Sequence, residues 1–100
     1  MDILKDITLP DGWVIPDEKI KRALENELAV EANPEHVLFG KKCTTLARSY
    51  FDDVIFFVHE DPIRFALVHL TYSAKQDKHS EFPYTLFYDD LKKLTNDVIS

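Results

Sequence analysis

Glycine is scarce in this chain: Gly12 and Gly40 are the only two among 100 residues. Phosphate cradles of the Walker or dinucleotide kind need clustered glycines so that backbone amides can approach the ligand, and neither is expected here. The same scarcity leaves no strained Gly-x-Ser-x-Gly turn to expose a serine nucleophile. Cysteine is rarer still. With Cys43 alone, no intramolecular disulfide can form, a zinc site of two or more thiolates is excluded, and a reducing compartment is the natural home. Basic residues are also in deficit, 12 against 18 acidic ones, for a formal charge of −6. That balance opposes phosphate-rich polymers unless a basic stripe intervenes. The densest basic pairs, Lys41-Lys42 and Lys92-Lys93, are flanked by apolar or acidic residues, so nucleic-acid binding is not expected. No apolar run is long enough to cross a bilayer, and the opening "MDILKDITLPDGW" lacks the basic start and apolar core of a secretory signal. The expectation is a soluble, cytoplasmic protein without membrane association.

What the chain does have is core material. Hydrophobic residues make up 45% and aromatics 12% of the sequence, enough to fill the interior of one domain spanning 1–100 without metal or disulfide. Residues 1–16, with two prolines and the Asp11-Gly12 turn dipeptide, should wrap the surface, anchored by Ile7, Leu9, Trp13 and Ile15. A helix is predicted from Pro16, with Asp17 and Glu18 complementing its dipole and Ile20, Ala23, Leu24 and Leu28 recurring at helical spacing. Asn33-Pro34 should end it. Three strand-like runs follow at 41–50, 53–60 and 63–72, joined by short polar links, which favours an antiparallel meander. In the middle run Val54, Phe56 and Val58 face one way and Ile55 and Phe57 the other, as in a strand covered on both sides. A polar stretch at 73–81 suits a solvated loop. The last segment offers a short extended piece and a closing helix with Phe87, Leu91, Leu94 and Val98 as its apolar stripe. The predicted fold is therefore α+β, a meander of three to four strands packed with an N-terminal and a C-terminal helix.

Few residues suggest chemistry. Alternation places His69 on a strand face with Ile63, Phe65, Leu67 and Thr71, which favours a partly buried imidazole bonded to backbone or to a hydroxyl over a functional one. His59 should lie at the other end of the strand pair, away from it. The intervals between His36, His59, His69 and His79 are irregular, so no metal site and no cofactor is expected. Cys43 reads as a packed thiol. The acid pairs Asp52-Asp53, Glu60-Asp61 and Asp89-Asp90 fall at element boundaries, where turn formation and capping explain them. They could also serve together as an acidic rim that steers and orients a basic protein.

Aromatics stand beside acids at the connections, as in "SYFDD" (49–53) and "HSEFPY" (79–84), and that mixture of anchors and steering charges is typical of tight protein interfaces. The expected partner-binding residues are Tyr50, Phe51, Asp52, Asp53, Glu60, Asp61, Asp77, Glu81 and Tyr84. In size, charge and compactness the whole chain resembles bacterial toxin-immunity proteins, including those of contact-dependent growth inhibition systems. From "DDVIFFVHEDPIRFALVHLTYSAK" through "FPYTLFYDDLKKL" it also resembles small uncharacterised bacterial proteins with a Val-His-Leu-Thr-aromatic strand before a polar loop. Neither resemblance carries a functional residue over. The first implies a non-enzymatic inhibitor, monomeric before complex formation, that blocks a basic protein toxin, often a nuclease, by covering its active site. The alternative from another class is a small enzyme or ligand-binding domain with a sheet-floor pocket formed by His69, Arg64 or Tyr72.

Overall fold

A computed structural model describes residues 11–49, 53–72, 75–76 and 82–99, with the backbone alone at 98 and 99. The Asp11-Gly12 dipeptide forms the expected turn, Gly12 taking a φ of 89° that disfavours any residue with a Cβ. It leads into a two-residue strand, β1 (Trp13–Val14). Helix α1 (Glu18–Glu31) follows, its first turn capped by the Asp17 carboxylate, which accepts from Ile20 N–H at 2.9 Å. Its buried stripe is Leu24, Leu28 and Glu31. Leu24 and Leu28 of the predicted stripe are buried, whereas Ile20 and Ala23 before them are exposed.

Three strands come next, β2 (Cys43–Ser49), β3 (Asp53–Val58) and β4 (Arg64–His69), then β5 (Tyr84–Tyr88) and helix α2 (Leu91–Ile99). All neighbours are antiparallel and the order across the sheet is β1-β2-β3-β4-β5. Among the described residues the α+β class holds, with two helices, but the sheet has five strands where three to four were expected. The strand not foreseen is β1, because two residues cannot display a period of two. Trp13 is half-buried as anticipated, whereas Ile15 is 55% exposed. No helix among the described residues is long and apolar enough to cross a membrane.

The alternation in β3 separates two cores. Val54, Phe56 and Val58 join Ala66, Val68 and Leu70 against Leu24 and Leu28 of α1, with Leu38 closing one end. On the other face Ile55 joins Leu46, Ala47 and Phe65 beneath Leu91 and Leu94 of α2. Leu46 and Ala47 both serve this second core because the β2–β3 register shifts between Thr45 and Ala47, a bulge that turns two successive side chains the same way. Phe56 is wholly buried at the centre of the sheet, where truncation to alanine costs about 3–5 kcal/mol. Phe87 belongs to β5 and packs against the α1-side core, so it is not part of the closing helix.

Two buried polar groups bind the layers together. Glu31 reaches from the end of α1 and accepts from the backbone N–H groups of Thr71 and Tyr72, both at 2.9 Å, as the chain leaves β4. His36 accepts from Leu38 N–H through Nδ1 at 3.0 Å, which puts the proton on Nε2; that N–H donates to the Pro83 carbonyl at 2.8 Å. The loop after α1 is thereby tied to the entrance of β5.

Candidate functional site

One row of residues crosses the sheet at the end where β3 and β5 begin and β4 finishes. Asp53 pairs with His69, and His69 with Tyr84, on three adjacent strands. Their alternation with Ile55, Leu67 and Leu86 places them on the α2 side of the sheet. His69 Nδ1 lies 2.8 Å from the Asp53 carboxylate, and Asp53 N–H donates to Ser49 Oγ at 3.2 Å, which holds the start of β3 in place.

The His69 side chain is 57% exposed. It is neither the partly buried imidazole expected from alternation nor one bonded to backbone or hydroxyl; its partner is a carboxylate. The reason is coverage. Among the described residues, Leu91 and Leu94 of α2 cluster with Phe65, Ile55 and Leu46, and the Asp53–His69–Tyr84 row is not part of that core. Tyr84 is 54% exposed and Leu86, beside it on the same face, 40% exposed. Leu86 was not among the expected binding residues. Its only sequence signal is the alternation Tyr84, Leu86, Tyr88, which the adjoining helical pattern obscures.

The expected interface residues therefore divide. Asp53 and Tyr84 come together in this row, while Glu60 and Asp61 lie in the β3–β4 connection at the far end of the sheet. Glu60 is not a free steering charge: Lys41 Nζ donates to it at 2.6 Å and Arg64 Nε to its other oxygen. Those two partners hold its carboxyl below the ordinary 4.5. Arg64 also stacks over the Phe87 ring, 3.8 Å from its centroid. Asp61 is exposed. Tyr50, Phe51, Asp52, Asp77 and Glu81 lie outside the described residues.

The three residues of the pocket alternative do not converge. Arg64 opens β4 on the α1 side, His69 ends it on the α2 side, and Tyr72 is 44% exposed beyond the strand at a φ of 56°. His59 sits at the far end, 2.6 Å from the Thr44 hydroxyl. Among the described residues no three His, Cys, Asp or Glu side chains converge as a metal site would require.

On the opposite face, a cleft of roughly 450 Å³ runs between α1 and residues 38–43, floored by Leu28, Ala32, Leu38 and Cys43. Burial pushes the Cys43 thiol up to about 11, against an ordinary 9.0, so it is protonated at neutral pH. Asp90 has the capping role expected of the boundary acids, its carboxylate accepting from Lys92 N–H at 2.7 Å at the start of α2.

No protein-family model, curated protein or solved structure matches this chain. Its function has to be argued from the site itself.

Proposed function

We propose that this chain is a small acidic binding module of the immunity type, which neutralises a basic protein toxin by covering its active site. The docking surface is the open end of the α2-side face, where Asp53, His69, Tyr84 and Leu86 lie side by side. One observation carries this reading: the largest exposed ring on that face, Tyr84, shares a cross-strand row with an acid, Asp53, on a scaffold of net charge −6. Exposed aromatics on a rigid sheet offer contact area at low entropic cost, and carboxylates accelerate capture of a cationic partner. The Glu60 end supports docking less well, because Lys41 and Arg64 already pair with the Glu60 carboxylate.

The test is coexpression with the protein encoded directly upstream of this chain, which this reading expects to be a basic toxin. Growth should be restored by the wild-type protein and lost with the double variant Asp53→Lys, Tyr84→Ala, provided the variant retains the wild-type circular dichroism spectrum. Failure of the wild-type chain to bind or protect would overturn the proposal. Full protection by the double variant would move the interface elsewhere.

A further inference from the structure

β5 is the last strand of the sheet. It pairs with β4 through five consecutive residues without a bulge, and no strand among the described residues pairs with its outer side. An open edge presents a row of unpaired N–H and C=O groups, which proteins blunt with lysine, proline, a bulge or a covering loop. Tyr84-Thr85-Leu86-Phe87-Tyr88 contains none of the first three. The opposite edge, β1, is only two residues long and offers no comparable template. Three exposed acids, Asp89, Asp90 and Asp97, stand near the end of β5, Asp97 accepting from the Tyr88 hydroxyl at 2.7 Å; Lys92 and Lys93 on α2 offset part of that charge. A second copy could pair edge to edge, but each would bring a charge of −6, and the repulsion favours a partner of opposite sign.

We propose that β5 is a docking strand: an extended segment of a cationic partner adds to its open edge, backbone to backbone, with alternate apolar side chains resting on Tyr84 and Leu86. This rests on the chain being a binder of a basic protein, and adds the mode of binding. Main-chain hydrogen bonds supply affinity in such strand addition, while side chains on the exposed face select the sequence.

The probe is an acetylated, amidated octapeptide of alternating lysine and valine, compared with a helical lysine-leucine-alanine peptide of equal charge. With the ¹⁵N-labelled full chain, the extended peptide should slow hydrogen exchange of outward-facing amides within 84–88 at least tenfold. It should also give cross-strand nuclear Overhauser contacts to β5, and the helical peptide neither. Leu86→Glu, which raises the attraction for a cation while removing the apolar contact, should weaken binding at least tenfold. Unchanged exchange at 84–88 under saturating extended peptide would overturn the proposal. So would amides already protected in a dimer of the free chain, which would assign the edge to a second copy. Loss of the docking-strand result with toxin neutralisation intact would remove only the binding mode; loss of neutralisation would remove the functional reading itself.

Discussion

Replacing Glu31 by alanine should be among the most damaging single changes outside the apolar cores. The side chain is fully buried, and its two oxygens each accept one backbone N–H, from Thr71 and Tyr72. Both donors would lose their acceptor. A donor stranded in a buried site costs about 1–3 kcal/mol, discounted here because Thr71 and Tyr72 lie near solvent. With the space left by the missing carboxyethyl group, the sum is about 2–4 kcal/mol. For a chain of this size that lowers the urea midpoint by roughly 2 M. Hydrogen exchange should show the same loss locally, with the Thr71 and Tyr72 amides deprotected more than the centre of β3. A pH series sharpens the test. Burial, reinforced by the hydrogen bond with Glu27, raises the Glu31 carboxyl above 4.5, so the folded chain keeps this proton to higher pH than the unfolded chain does. Stability from this group is therefore present below 4.5 and declines as pH rises through the raised value. Glu31→Gln should abolish that decline. An alanine variant within about 0.5 kcal/mol of wild type would refute the clamp, and equal pH slopes for wild type and Gln would contradict the raised carboxyl.

Glu60 should behave in the opposite sense. Its carboxyl is lowered by Lys41 and Arg64, so its contribution is present above 4.5 and lost as pH falls through the depressed value. Denaturation of Glu60→Gln against wild type should diverge near neutrality and converge in acid, and a constant difference down to the lowest pH would contradict the ion-pair assignment. His36→Ala removes the acceptor of Leu38 N–H and the donor to Pro83. It should cost about 2–3 kcal/mol, read as a fall in Tm of roughly 10–15 °C; an unchanged Tm would show that the loop after α1 does not depend on this bond. Cys43, at about 11 instead of 9.0, should be alkylated at pH 8 about a hundredfold more slowly than an ordinary thiol. Alkylation at the rate of free cysteine would contradict its burial.

The legible parts of the fold were those whose signal is local. β2, β3 and β4 announce themselves through alternation and polar links, and Asp17 marks the start of α1 because its carboxylate bonds only three residues ahead. β5 was harder, since Phe87, Leu91 and Leu94 are spaced like one helical stripe although a strand ends between the first two. Glu31 and His36 were missed because their partners are about forty residues away or more. Glu31 did leave a trace: it continues the Leu24–Leu28 stripe, and a carboxylate on an apolar face demands a donor. In the candidate site, alternation placed His69 on the correct face but could not foretell that it lies outside the α2-side core. Coverage depends on where a nine-residue helix lands, and that is set by tertiary packing.

The central claim, that the open end of the α2-side face meets a basic protein, is tested most directly by association kinetics with the purified toxin domain. Rates should be measured at several salt concentrations for wild type, for Asp53→Lys, and for Glu60→Lys as the control at the far end. Asp53→Lys should slow association and flatten its salt dependence, with Glu60→Lys closer to wild type. Equal rates for wild type and Asp53→Lys, or a larger effect at Glu60, would contradict the account.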